Sequence, residues 1–86
     1  MRIRCIKMKE QGIEFFIALV KEDVITEPSQ ANQTVAMFQQ YLRLPVVLCG
    51  DLSGNYFGRK DLANFLAGAL QASQIRWGTC EIQPAQ

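Results

Sequence analysis

Histidine is absent from this 86-residue chain, and with it go the commonest general base, the commonest metal ligand and the side chain that titrates near neutral pH. Reaction mechanisms that need an imidazole are therefore excluded. The sequence also has no Cys-x-x-Cys pair, and its three cysteines, Cys5, Cys49 and Cys80, lie far apart. This spacing predicts neither a disulfide framework nor a zinc cage, and no cofactor is expected.

Long hydrophobic runs and long runs of like charge are also missing. The longest apolar run, Phe15 to Val20, falls far short of the roughly 20 residues of a membrane span and of the apolar region of a signal peptide. Nine basic residues against eight acidic ones leave a net charge of +1, and no dense basic patch is available for phosphate contacts. We predict a cytoplasmic protein that binds neither membranes nor nucleic acid.

The residues that are present have the composition of one folded domain. Hydrophobic residues make up 49% of the chain and charged residues 20%, values typical of soluble globular domains. A chain this short builds only a small core, so its stability is marginal unless apolar area is buried against another subunit. Size alone therefore favours a homodimer.

The first half of the chain predicts a β-hairpin followed by a helix and a third strand. Gly12 supplies the positive φ of a tight hairpin turn, and the second strand is apolar on both faces, as in the centre of a sheet. Pro45 ends the helix, and a strand reached through a helix should lie parallel to the strand before it. The predicted elements are strands at Arg2–Lys9 and Ile13–Val20, a helix at Ser29–Arg43 and a strand at Val46–Cys49.

The second half predicts a turn, a short strand, a helix and a last strand. The short strand Tyr56–Phe57 should pair back on the third strand, and apolar residues three and four apart predict a helix that ends between Leu66 and Ala72. The last strand falls within Ile75–Ile82, and the polar tail from Gln83 to Gln86 is expected to fray.

These elements predict an α/β or α+β fold of order ββαββαβ. The sheet is mixed, with four or five strands, and we expect both helices on one of its faces. The other face would then need an apolar partner, because the strand Phe15 to Val20 would otherwise expose large apolar side chains to water. A homodimer is therefore expected on this ground as well.

The loop from Gly50 to Asp61 is the first candidate site. Arg59 and Lys60 stand at the start of the second helix, where the helix dipole favours negative charge, so an anion or an acidic partner is one explanation of their position. The alternative, which we favour, is that both side chains are solvated and that Asp61 caps the helix at Gly58. The polar turn residues Asp51, Ser53 and Asn55 complete the candidate binding set.

Cys49 is the second candidate, because ligands of open α/β sheets collect where strands end. A basic neighbour such as Arg59 or Lys60 would activate its thiol. The alternative, which we favour for Cys5 and Cys80 as well, is an ordinary buried cysteine. Three aromatic residues lie outside the predicted helices and the apolar strand, namely Tyr56, Phe57 and Trp77. They could form a platform on which bases or rings stack, or they could belong to the core or to a subunit interface.

Two resemblances follow from the second half of the chain. One stretch resembles the strand, strand, helix ending of thioredoxin and glutaredoxin folds. It consists of Leu44-Pro45-Val46-Val47-Leu48, a turn, Tyr56-Phe57-Gly58 and then Asp61-Leu62 with Phe65-Leu66. Their redox motif has no counterpart here, so the resemblance implies no redox activity. A second resemblance is to a group of small uncharacterised bacterial proteins from cyanobacteria. It rests on Tyr56-Phe57-Gly58-Arg59-Lys60-Asp61-Leu62 together with Gln11-Gly12-Ile13, and it implies no function.

From these observations we predict a non-enzymatic interaction or regulatory module that uses the Gly50 to Lys60 loop and an apolar sheet face. Its partner would be a protein or a small anion. The alternative is a thioredoxin-like protein with a thiol-dependent or small-anion-binding activity, with Cys49 as the thiol and Arg59 and Lys60 as its basic neighbours. The two hypotheses differ in whether the loop forms a concave pocket or a flat surface.

Overall fold

The computed structural model describes residues 2–82, so the predicted frayed tail lies outside the described residues. The strands are β1 (Arg2–Glu10), β2 (Ile13–Val20), β3 (Val46–Gly50), β4 (Tyr56–Phe57) and β5 (Gly78–Glu81). The helices are α1 (Glu22–Thr26), α2 (Pro28–Leu42) and α3 (Lys60–Ala69), with a 3-10 turn at Ala72–Gln74. No helix within this part of the chain is long and apolar enough to cross a membrane.

The strands form one mixed sheet of five, in the order β4-β3-β2-β1-β5. β1 and β2 are antiparallel and joined by a tight turn in which Gln11 and Gly12 both have positive φ, of 54° and 78°. β2 and β3 are parallel, and β4 pairs antiparallel with β3, as predicted. The α/β fold class, the hairpin and the parallel crossover are therefore confirmed.

The helices cover opposite faces of the sheet, so the prediction that both lie on one face was wrong. α2 packs through Ala31 and Phe38 on one face, against alternate residues of β2 and β3 such as Ala18 and Leu48. α3 packs on the other face through a second cluster, whose buried members are Phe15, Ile17, Val47, Cys49, Leu62, Leu66 and Ile75. Because β2 is covered on both sides within one chain, the apolar sheet face expected to require a partner is absent.

The first predicted helix corresponds to α2, and the structure adds a short helix before it. α1 is a short helix that was not predicted, and α2 begins at Pro28, which occupies the first turn where a missing N–H costs nothing. Pro45 would allow α2 to continue as far as Leu44, but the helix ends at Leu42. It ends there because Arg43 adopts the left-handed conformation with φ 59° and donates its N–H to the carbonyl of Gln39.

Cys5 and Cys80 form a disulfide, which corrects the prediction of ordinary buried cysteines and of no disulfide. β5 lies antiparallel beside β1 at the sheet edge, with Cys5 opposite Gly78 and Cys80 opposite Ile3. The two Cα atoms are 6.1 Å apart although 75 positions separate the residues in the sequence, a Cα spacing within the range of disulfides. The pairing follows from the strand order, which places β5 beside β1, and could not be predicted from the spacing of the cysteines in the sequence.

Candidate functional site

The two parallel strands end side by side, and the chain leaves β2 for a helix but turns from β3 into the next strand of the sheet. Val20 at the end of β2 is in register with Gly50 at the end of β3. After β2 the chain enters α1 and α2 on one face, whereas after β3 it leads through β4 to α3 on the other. Open α/β sheets bind ligands in the crevice outside the carboxyl ends of their strands, which is where Val20 and Gly50 lie.

The segment 50–55, called the switch loop below, fills part of this crevice as a tight turn. The N–H of Gly50 donates to the carbonyl of Asn55, and the N–H of Gly54 donates to the carbonyl of Gly50, both at 3.0 Å. The N–H of Asn55 donates to Ser53 Oγ at 3.1 Å, and Gly54 has a φ of 72°. A positive φ suits glycine, so the sequence selects this turn.

Glu22 fixes the switch loop from the other side of the crevice. Its carboxylate accepts the N–H of Ser53 at 2.9 Å, the hydroxyl of Ser53 at 2.7 Å and the N–H of Leu52 at 3.3 Å. In return, Asp51 Oδ1 accepts the N–H of Glu22 at 3.0 Å, at the start of α1. The loop and the short helix therefore cap each other.

Gly50 is needed for this arrangement, because the Glu22 carboxylate and the end of Ile25 occupy the space that a Cβ at position 50 would take. The hydrogen bonds from the Ser53 backbone and hydroxyl, followed by that from Leu52, lower the pKa of Glu22 below its ordinary value of 4.5, against a smaller opposing effect of burial. Ionised Glu22 is thus the form that holds the loop.

The lowered pKa predicts how the loop responds to acid. A carboxyl group whose pKa is lower in the folded state stabilises the fold above its unfolded pKa, and this stabilisation disappears as the pH falls through the folded pKa. We expect Glu22→Gln to melt below the wild type at pH 6, and the difference to shrink as the pH falls below 4.5. Melting curves of both proteins across this range measure it. Glu10→Gln, at the far end of β1, is the control, and a difference that does not depend on pH would contradict the prediction.

An open pocket of about 560 Å³ lies between the switch loop and the C-terminal end of α3. Leu19 forms its floor from β2, Ala67 and Leu70 line it from α3 and the residue after it, and Trp77 lines it from the segment before β5. Its remaining lining residues are Gly50, Asp51, Leu52, Ser53, Gly54, Asn55, Tyr56, Gln71, Ala72 and Ser73. The volume is within the range of small-molecule sites.

Two aromatic residues shape the pocket wall. Tyr56 donates its hydroxyl to the carbonyl of Leu70 at 2.7 Å, which joins β4 to the end of α3. Burial, with a smaller effect of Cys49, raises the pKa of this hydroxyl, so it remains a neutral donor. Trp77 is half-buried against the α3 side of the core. Phe57, the third aromatic residue considered from the sequence, packs on the opposite face.

Leu52 lies at the rim of this pocket with 84% of its surface exposed. It is the large apolar residue that the described part of the chain leaves exposed. Its backbone N–H donates a hydrogen bond to Glu22, so the fold keeps the side chain exposed to water. Contact with a ligand would remove the free-energy cost of this apolar exposure.

Cys49 lies under the switch loop, fully buried in the core on the α3 side. Burial, followed by the nearby charge of Glu22, raises the pKa of its thiol to about 11, so the thiol is neutral at physiological pH. We expect the folded protein to incorporate no iodoacetamide at Cys49 below pH 9 and one equivalent after unfolding in guanidinium. Mass spectrometry counts the label, the disulfide cysteines do not compete, and rapid labelling of the folded protein at pH 7 would refute this expectation.

Arg59 and Lys60 lie at the other end of α3, a helix about 15 Å long, and do not line the pocket. Arg59 Nε is 2.8 Å from Asp61 Oδ1, so Asp61 pairs with Arg59 and does not cap Gly58. Both side chains of this ion pair are half-exposed, and such pairs contribute little to stability.

The six predicted site residues therefore fall into three places. Asp51, Ser53 and Asn55 line the pocket, Cys49 is buried beneath it, and Arg59 and Lys60 lie at the far end of α3. Sequence reasoning missed the contribution of Leu19, Leu52, Ala67, Leu70 and Trp77 to the lining and of Glu22 to the loop. The sequence signal that could have indicated an apolar binding site was Leu52, an apolar residue in an otherwise polar turn. Among residues 2–82, no group of three or more cysteine and acidic side chains is placed to hold a metal.

No protein-family model matches the chain, and searches of curated proteins and of solved structures found no match. The resemblances to thioredoxin-like folds and to small bacterial proteins therefore stay predictions.

Proposed function

We propose that this protein is a non-enzymatic binding module whose ligand, a small molecule with an apolar part and hydrogen-bonding groups, occupies the pocket beside the switch loop. The observation that carries the proposal is the position of that pocket, at the ends of two parallel strands whose continuations diverge. The rigid loop supports it, because a preorganised wall lowers the entropy cost of binding. The partly exposed Tyr56 and Trp77, together with exposed Leu52, supply the apolar contacts.

A regulatory or protein-interaction role remains part of the proposal, since a bound ligand would alter the surface presented by Leu52 and α3. No pair of groups suited to acid-base or nucleophilic catalysis lines the pocket among the described residues, because Cys49 is neutral and enclosed and Asp51 supports α1. The binding function therefore fits the geometry better than an enzymatic one.

The proposal can be tested through Trp77, the only tryptophan in the sequence, which gives a single indole N–H signal in NMR spectra. We expect binders from a chemically diverse fragment panel to shift that signal together with the amide signals of the switch loop. Ala67→Phe places a ring in the pocket and should abolish these shifts. Asn64→Phe adds the same ring to an exposed position on α3 outside the lining and should preserve them. Fragments that leave Trp77 unaffected, or that bind Ala67→Phe as well as the wild type, would refute the proposal.

The alternative of an anion site at Arg59 and Lys60 has a separate test. Lys60 opens α3, where negative charge is favoured, so Lys60→Glu should stabilise the fold by about 0.3–1 kcal/mol if the residue has only a solvated role. Melting scans with and without phosphate should show no phosphate effect in either protein. Stabilisation of the wild type by phosphate that is lost in Lys60→Glu would support the anion site instead.

A homodimer is also proposed, now on the ground of size alone. A chain of 86 residues has a small core that association would enlarge. Sedimentation at micromolar concentration that shows only a 9.7 kDa species would refute the dimer. The Cys5–Cys80 disulfide counts against a cytoplasmic location, because such bonds persist mainly in oxidising compartments.

A further inference from the structure

We infer that the pocket selects an organic cation, specifically an amine attached to an aromatic or other apolar body. This inference rests on the proposed binding function and names the chemical class of the ligand. It follows from the charge around the pocket, from the end of α3 that faces it, and from its aromatic wall.

The charged side chain in the pocket lining is acidic. Asp51 is the acidic residue among the described lining residues, and no lysine or arginine is among them. Behind the loop stands Glu22, whose carboxylate stays ionised because Ser53 and Leu52 donate hydrogen bonds to it. The Asp51 carboxylate in the lining and the Glu22 carboxylate behind the loop attract a cation and repel an anion.

The helix that borders the pocket adds to this field. Ala67 and Leu70, at the C-terminal end of α3, line the pocket, and the carbonyl end of a helix carries partial negative charge. No basic residue lies in the last turn of α3 to neutralise it. A ligand ammonium group near this end would take the place of the missing basic side chain.

The aromatic wall suits the same ligand. Trp77 and Tyr56 line the pocket, and aromatic rings attract cations and also pack against apolar groups. Leu19 and Leu52 extend the apolar lining from the floor to the rim. An arylalkylamine satisfies both demands, because its ammonium group meets the acidic side and its ring meets the aromatic side.

The test compares molecules that differ only in their polar group. Phenethylamine and tryptamine are titrated beside their alcohol and carboxylate analogues, with the Trp77 indole N–H signal as readout. We expect the amines to bind at least tenfold more tightly than the carboxylates and more tightly than the alcohols, with an affinity that falls as salt is added.

Asp51→Asn removes the charge but keeps an oxygen that can accept the N–H of Glu22. It should weaken amine binding about fivefold or more and leave alcohol binding unchanged, as expected for loss of one nearby charge. Asp61→Asn makes the same change in net charge at the far end of α3 and should leave both unchanged. Alcohols that bind as tightly as amines, or amine binding that survives Asp51→Asn, would overturn the inference and leave the binding function standing. If no analogue of any charge moves the Trp77 signal, both would fail.

Discussion

Reduction of the Cys5–Cys80 disulfide should lower the free energy of unfolding by about 2–5 kcal/mol. The bond closes a loop spanning 75 sequence positions, so it removes much of the conformational freedom of the unfolded chain. In a small domain, whose total stability is on the order of 5 kcal/mol or little more, this loss would unfold a large fraction of the molecules near body temperature.

Guanidinium unfolding curves with and without a reductant measure the effect. A variant with both Cys5→Ala and Cys80→Ala should unfold at the midpoint of the reduced wild type and should not respond to the reductant. This control separates the disulfide from any effect of the reagent itself. Unfolding midpoints that coincide for oxidised and reduced wild type would show that the bond contributes nothing to stability.

Gly58→Ala should destabilise the fold by at least about 2 kcal/mol. Gly58 has a φ of 153°, a conformation that residues with a Cβ rarely adopt. A Cβ at this position would lie 3.0 Å from the carbonyl oxygen of Val46 and 3.2 Å from the Cα of Val47, and neither backbone atom can move without disturbing β3. Gly58 thus sets the direction in which the chain leaves β4 for α3.

The chain itself provides the matched control. Gly68 lies within α3, and a Cβ there would meet nothing within 4 Å. Gly68→Ala should therefore raise the stability by about 0.5–1 kcal/mol through its higher helix propensity. Urea unfolding followed by circular dichroism compares the two variants. Equal midpoints would mean that the conformation at Gly58 carries no constraint.

The sequence predicted most of the secondary structure, because the signals for it are local. Gly12 follows an alternating strand, and the helical spacing of Leu62 and Leu66 is unambiguous. α1 has no such signal of its own, since the group that caps its first N–H is Asp51, 29 residues away. Its formation depends on the tertiary fold.

The candidate site was harder to predict, since its parts come from separate segments. The switch loop could be recognised from its turn residues, but nothing local indicates that Trp77 and Ala67 face it. Arg59 and Lys60 follow the loop closely in sequence, yet β4 carries the chain back along β3 before α3 begins. Because they are close to the loop in sequence, Arg59 and Lys60 were predicted to belong to the site. The antiparallel strand β4 instead places them at the opposite end of α3.

The antiparallel pairing of β1 with β5 also determines how this domain could be reconnected. Arg2 lies opposite Glu81, and their side chains form an ion pair at 3.6 Å, so the two ends of the described chain are neighbours at one corner of the sheet. A short peptide linker could join them, and new ends could be opened at the exposed Gln11-Gly12 turn. In such a circular permutant every strand would keep the neighbours that it has now.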